Sequence, residues 1–387
     1  MEAYLVDWLS LLLRWAHLVV GIAWIGASFY FIWLDNHLEP STDAKVAGEL
    51  WAVHGGGFYH AEKFKGAPPQ MPARLHWFKW EAYWTWITGF FLLALVYYAG
   101  AELYLIDPSV MPLSKAAAIG IGIGSLIISL VVYEGICRSP LARDDVLLGI
   151  ALFAFTALCA WGLTQLYSGR GAFIHYGAIL GTIMVANVAH IIIPGQRRMV
   201  AALAAGRAPD PKDGAAGKQR SVHNTYFTLP VLFTMISGHY AFTFGARWAW
   251  LVLVALTLAG GLIRVWFVMR HKGNAPAWPV VAGVGLIVAL AFFISPRTDK
   301  SPQSEVKFQA VKSIIDARCL GCHAAKPTFQ GLNEAPKGFL LDTPERIGAQ
   351  AALIHQQTVL TRAMPPGNLT GMTEEERRLL GRWFLSR

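Results

Sequence analysis

Apolar residues are concentrated in eight runs along the first 295 positions of the chain, and polar loops separate them. Each run holds roughly 20 residues, enough for a helix to cross the ~30 Å hydrocarbon layer of a bilayer. The runs lie near residues 6–34, 80–99, 115–136, 145–167, 171–195, 223–244, 247–269 and 277–295. The pattern therefore predicts eight membrane-spanning helices.

The pattern changes after residue 300, where shorter amphipathic segments follow. Phe308, Val311 and Ile315 recur at helical spacing. Near the C-terminus, Thr373 precedes three glutamates, which is typical of the start of a helix. We therefore predict an all-α protein, with a polytopic bundle over residues 1–299 and a small helical domain over residues 300–387.

Composition supports a membrane protein for the larger part. The chain is 55% hydrophobic and only 15% charged, and it contains 15 tryptophans, which excludes an ordinary soluble enzyme. Its net charge of +9 has a plain explanation in loops that face anionic lipid, so we predict a lipid bilayer as partner and no nucleic acid.

The basic residues of the loops predict an orientation. The loops after runs one, three, five and seven carry fifteen lysines and arginines, whereas the alternate loops carry only Lys115, Arg170 and Arg247. Because basic loops stay in the cytoplasm, both chain ends are expected outside it. The protein is thus predicted to be multi-pass, with its C-terminal domain on the non-cytoplasmic side.

Residues 319–323 read Cys-Leu-Gly-Cys-His, the motif that attaches a c-type haem through two thioethers and one histidine. The motif predicts a covalent haem (heme c) held by Cys319, Cys322 and His323. Met364, in Ala-Met-Pro-Pro-Gly, is the predicted second metal ligand opposite His323, with Met372 and His355 as competitors. Alternatives for the cysteines are a disulfide or a zinc site, although the nearest other thiols lie far upstream.

Several ionisable residues fall inside the apolar runs, where they are costly and often functional. His175 and His190 are 15 residues apart, about 22 Å along one helix. That spacing would let them hold a b-type haem (heme b) near each membrane face, and His17 and His239 are further candidate ligands. Each histidine could instead be a hydrogen-bonded helix contact. Arg14 lies deep in the first run, which indicates a functional group.

The loop after the first run contains His54-Gly-Gly-Gly-Phe-Tyr-His60-Ala-Glu62. Glycines let a backbone approach a ligand closely, so this segment could cradle a planar anionic heterocycle, with His54, His60, Glu62 and Arg14 as candidate catalytic residues. The alternative is a flexible turn between two helices. The other long loop, 197–220, is predicted to be a mobile linker.

Three features together resemble one known family. The first is the N-terminal sequence through Trp-Ile-Gly-Ala-Ser-Phe-Tyr-Phe-Ile-Trp-Leu-Asp35, and the second is the His54-Gly-Gly-Gly-Phe-Tyr segment. The third is an eight-span region joined to a C-terminal Cys-Leu-Gly-Cys-His cytochrome c domain. This chain resembles the bacterial membrane-bound urate oxidases (urate hydroxylases) that carry their own cytochrome c. The resemblance covers essentially the whole chain.

The resemblance implies an enzyme of purine catabolism in the bacterial inner membrane, with its cytochrome domain and both termini in the periplasm. It implies that urate becomes 5-hydroxyisourate and that electrons pass to the haem rather than to dioxygen, so no hydrogen peroxide forms. A soluble cytochrome c or a terminal oxidase would then accept the electrons. Two other functions stay open: a quinol- or metabolite-linked respiratory cytochrome, and a transporter with a redox-sensing tail.

Overall fold

The computed structural model describes residues 2–271, 275–295, 306–330 and 332–387. The N-terminal region, residues 2–295, is mostly helical. Its regular elements are α1 (Glu2–Asn36), β1 (Val46–His54), β2 (Gly57–Phe64), α2 (Trp80–Leu92) with a π-helical turn (Leu93–Tyr98), α3 (Ala101–Tyr104), α4 (Lys115–Arg138), a 3₁₀ turn (Pro140–Arg143), α5 (Asp145–Thr164), α6 (Gly169–Ala186) with a π-helical turn (Asn187–Ile192), α7 (Ile193–Ala204), α8 (Pro211–Ser237), α9 (Ala241–Phe244), α10 (Ala249–His271) and α11 (Trp278–Phe293).

Five of these helices are long and apolar enough to cross a membrane. They comprise Tyr4–Asn36, Lys115–Arg138, Asp145–Thr164, Gly169–Ala204 and Ala249–Arg270. The other three predicted runs are also helical, but none of them forms one helix that is long and apolar enough throughout to be counted with these five. The run at 80–99 changes from α to π hydrogen bonding at Leu93, α8 begins in polar sequence, and α11 has 16 residues.

The loop after α1 is not a flexible turn, because its residues form an antiparallel hairpin. Gly55 and Gly56 have φ of 57° and 79°. Two consecutive positive φ values define the tight turn that matches strand twist, and glycine adopts them without strain. Gly55 and Gly56 thus form the turn, Gly57 begins β2, and this hairpin is a departure from the all-α class. The expected linker at 197–220 also differs, since α7 and α8 occupy most of it and Arg198 pairs with Asp213 at 2.6 Å.

The C-terminal region, residues 306–387, folds as short helices around an apolar core. Its elements are α12 (Phe308–Arg318), α13 (Leu320–His323), a 3₁₀ turn (Pro336–Gly338), α14 (Pro344–Ala349), α15 (Ala351–His355) with a π-helical turn (Gln356–Leu360), a 3₁₀ turn (Pro366–Asn368) and α16 (Glu374–Leu385). Helix α16 begins with the expected capping box, in which Thr373 and Glu376 satisfy each other's backbone N–H groups. Val311, Ile315 and Leu380 are fully buried in the core.

Contacts divide the chain into two compact units. The first comprises Met1–Leu92, Leu180–Val231 and Ala259–Val284; the second comprises Leu93–Ile179, Leu232–Leu258 and Gly285–Arg387. The C-terminal region therefore packs in one unit with parts of the helical N-terminal region. The domain boundary predicted at 299/300 lies within 296–305, outside the described residues.

Candidate functional site

The Cys-Leu-Gly-Cys-His motif forms one tight helical turn at the end of α12. The N–H of Cys319 donates to Ile315 O at 2.8 Å, and the N–H of His323 donates to Cys319 O at 2.9 Å. Within this turn Cys319 packs against the apolar core, whereas Cys322 and His323 line a cavity. His323 Nδ1 lies 2.8 Å from the carbonyl oxygen of Phe339. An Nδ1–H donated to that carbonyl fixes the ring and leaves Nε2 free to bind iron.

The two cysteines of the motif are free and partly buried. Burial raises the pKa of Cys319 to about 12 and raises the pKa of Cys322 as well. Burial thus favours the neutral thiol form of both cysteines. They are not bonded to each other. Among the described ranges, the one cluster of three metal-donor residues lies elsewhere, at Glu49, His60 and Glu62.

A cavity of about 1820 Å³ in the second unit brings the motif and the methionine loop together. His323, Cys322 and Met364 line it from the C-terminal region, and Tyr104, Arg170 and His239 belong to its lining from the N-terminal region. The lining therefore offers three of the four groups that would hold a c-type haem, namely one thiol, the imidazole and the thioether, and Cys319 packs against the apolar core instead.

The surroundings of the two predicted competitors distinguish them from Met364. Met372 also lines the cavity but is 3% exposed and belongs to the apolar core. His355 stacks on Phe384 with ring centres 4.4 Å apart. Met364 is thus the better placed second ligand.

Sequence analysis missed Arg377, which holds the methionine loop. This guanidinium is 6% exposed, and it donates to the carbonyl oxygen of Met364 at 2.9 Å and to that of Thr358. The N–H of Met364 in turn donates to Gln357 O at 3.0 Å. Arg377 lies in a charged stretch of α16, so the local sequence does not indicate that its side chain is buried. Its partners are backbone carbonyls 13 and 19 residues away.

We expect Met364→Leu to remove the sulfur-to-iron charge-transfer band of the oxidised protein, because leucine keeps the volume but offers no ligand atom. Met372→Leu should keep that band, since its side chain packs in the core. Absorption spectra of the two purified variants check the assignment. Retention of the band in Met364→Leu would exclude Met364 as ligand.

The C-terminal region touches the N-terminal region through glycines within the second unit. A Cβ on Gly245 would overlap the carbonyl oxygen of Thr361, and a Cβ on Gly367 would lie 2.5 Å from Ile106 O. Only residues without side chains allow such close backbone approach. Beside this contact, the Arg170 guanidinium lies 4.7 Å from the ring centre of Tyr104.

The four intramembrane histidines occupy different settings. His175 is fully buried, with Nδ1 2.9 Å from Gly171 O and Nε2 3.3 Å from Tyr98 Oη. His17 Nδ1 lies 3.0 Å from Thr88 Oγ1. His190 and His239 are exposed, and His239 lines the large cavity.

This packing of His175 does not fit an axial ligand, because protein groups already engage both of its ring nitrogens. The His17 ring also lies against Gly89, where a Cβ would come within 2.9 Å of Cε1. We derive no step through a b-type haem. Its presence stays a prediction, which a pyridine haemochrome spectrum of the purified protein tests by counting b and c haems.

The four candidate catalytic residues do not form one site. His60 Nε2 lies 2.8 Å from Glu49 Oε2, and His60 Nδ1 lies 3.9 Å from Glu62 Oε1, on an exposed face of the hairpin. His54 is at the hairpin turn, about 20 Å along β2 from Lys63. The structure therefore brings together His60 and Glu62 but not His54.

Arg14 is farther from the hairpin. Lys63 joins the hairpin to Asp35 of α1 at 2.8 Å. Arg14 precedes Asp35 by 21 residues, or about 31 Å along α1. Its side chain is exposed and donates from Nε to Ser10 Oγ at 3.2 Å. Arg14 and the hairpin cannot contact one small ligand together.

Comparison with known proteins gives one match. No curated protein and no solved structure matched the chain. The family model described as urate oxidase N-terminal matches residues 3–295, which is most of the chain and nearly all of its N-terminal region. The matched region carries the candidate membrane spans and the hairpin, and the haem-attachment motif lies beyond it. The chain belongs to the urate oxidase N-terminal family.

Proposed function

We propose that this protein is an integral membrane urate hydroxylase that converts urate to 5-hydroxyisourate and passes the electrons to its own covalent c-type haem. Family membership supports a urate-oxidising enzyme. The observation that supports the haem as electron acceptor is that His323, Cys322 and Met364 line one cavity. A redox centre built into the same chain makes dioxygen unnecessary as oxidant, so no hydrogen peroxide forms.

The proposed topology has eight spans in the bacterial inner membrane, with both termini in the periplasm. Two observations support it. The loops predicted to be cytoplasmic carry fifteen lysines and arginines, and the alternate loops carry three. In addition, c-type haem is attached outside the cytoplasm. Among the described residues, five helices are long and apolar enough to cross a membrane, judged by length and hydropathy alone. The remaining three segments are helical at the predicted positions.

The proposed reaction balances with water as the oxygen source. Urate gains one oxygen from water and releases two protons and two electrons. A c-type haem, when bound, supplies a one-electron acceptor, so two transfers complete one turnover. His323, whose ring lies against Phe339 O, would hold the iron, and Met364 would offer its sulfur from a loop held by Arg377. An external cytochrome c or a terminal oxidase then removes the electrons.

Anaerobic mixing tests the proposed function. We expect purified protein with oxidised haem to show the reduced haem band on addition of urate without oxygen, with 5-hydroxyisourate as product. Added quinol should not replace urate. In air, urate oxidation with an acceptor present should release no hydrogen peroxide. A haem that stays oxidised with urate would contradict the proposal. The catalytic roles of His54, His60, Glu62 and Arg14 stay predictions.

A further inference from the structure

A second cavity, of about 400 Å³, lies wholly within the first unit. It is bounded by the C-terminal half of α1, the start of α2, the π-helical turn Asn187–Ile192 and the middle of α8. Its volume falls in the range of small-molecule sites. None of the residues discussed so far as haem ligands contributes to it.

Flat aromatic walls give this cavity a shape for a planar ring. Trp24 and Trp77 line it and pack against the buried residues Val188 and Ile193, which form part of its floor. Phe29 lines it from α1. Large rigid rings held by a packed floor favour stacking on a heterocycle over binding of a flexible chain.

Glu81 gives the cavity a polar acceptor without a partner. It lines the cavity from the first turn of α2, and its Oε2 is shielded from solvent without a hydrogen-bond partner among the described residues. The positive end of the α2 dipole stabilises a carboxylate at this position. Because an unmade buried hydrogen bond is costly, the carboxylate is set to accept N–H groups from a ligand.

Cations behind the aromatic walls offset the carboxylate. The Arg264 guanidinium lies 5.7 Å from the Phe29 ring centre, and that of Arg197 lies 6.0 Å from the Trp77 ring centre. Arg264 is 7% exposed. The other acid in the lining, Asp35, pairs with Lys63. Neither arginine belongs to the cavity lining, so both offset the carboxylate charge only through the rings that they cover, and the lining itself offers an unpartnered acceptor for ligand N–H groups.

We propose that this cavity is the urate site, with the ring stacked between aromatic walls and an N–H edge donated to Glu81. This inference rests on the proposed function, since urate is a planar anion whose edges alternate N–H and C=O groups. In the proposed topology the surrounding helix ends face the cytoplasm, where urate is made. A site there means that electrons, rather than urate, cross the bilayer.

Binding is measured on the full-length protein in lipid nanodiscs. Ascorbate under argon keeps the haem reduced, so bound urate is not turned over, and equilibrium dialysis with radiolabelled urate gives the dissociation constant. We expect Glu81→Gln to weaken binding about 10-fold or more, because a charged acceptor is lost. Ser28→Phe should abolish binding by filling the cavity from α1, where Ser28 lines it.

Matched controls are Glu102→Gln and Trp80→Leu, which change an acid and a tryptophan outside the cavity lining. Both should bind urate as the unchanged protein does, and all variants should keep the haem spectrum. If Glu81→Gln and Ser28→Phe both bound urate as tightly as the unchanged protein, this site would be overturned while the proposed function would stand. Unchanged protein that neither binds urate nor reduces its haem anaerobically would overturn the function itself.

Discussion

Replacing both Cys319 and Cys322 with serine should lower urate-driven reduction of an external cytochrome c at least about 100-fold, or ~2.7 kcal/mol of barrier. Without thioethers the haem is no longer tethered beside His323, so the electron acceptor is lost. Haem staining after denaturing electrophoresis and steady-state assays measure the two effects. Urate binding should survive, because the cavity that includes Glu81 lies in the other unit.

The control for the cysteine change is Cys159→Ser. Cys159 lies in α5, 3.8 Å from Ser129 Oγ, and has no place in the haem cavity lining. It should keep both covalent haem and activity. A double serine variant that still transfers urate electrons at the unchanged rate would remove the haem from the reaction. That result would leave the family assignment intact, because the family match ends before the motif.

Gly245→Ala should slow anaerobic reduction of the haem by urate about 10- to 100-fold while leaving haem attachment unchanged. The φ of Gly245 is −82°, so alanine fits the backbone and acts only through its Cβ. That Cβ would overlap Thr361 O, three residues before Met364. The Thr361 segment must shift, and displacements near 1 Å can cost ~100-fold in a reaction that depends on geometry.

Stopped-flow mixing with urate measures this rate, and mixing with ascorbate shows whether the haem itself remains reducible. Gly162→Ala is the control, because Gly162 lies in α5 with nothing within 4 Å of a Cβ. It should keep the unchanged rate and gain helix stability of ~1 kcal/mol. A Gly245→Ala protein that reduces its haem as fast as the control would show that this contact does not position the haem.

Local signals in the sequence were sufficient for part of this architecture. The capping box at Thr373 and the haem turn after α12 each rest on neighbours within a few residues, so they could be predicted directly. The five long apolar helices follow from hydropathy over one segment. The hairpin was missed although a signal exists: a Gly-Gly pair between two short segments that contain valine and aromatic residues is typical of a two-residue turn.

Tertiary structure decided what depends on distant residues. Arg377 binds carbonyl oxygens in another segment, and Gly245 meets Thr361 across 116 positions. The cavity beside Glu81 joins four separate stretches of chain. Local sequence preferences do not encode such long-range contacts, because these contacts form only when complete helices and loops pack together. Sequence by itself determined where the five long apolar helices lie and carries the motif that predicts haem attachment; only the fold decided which side chains share a cavity.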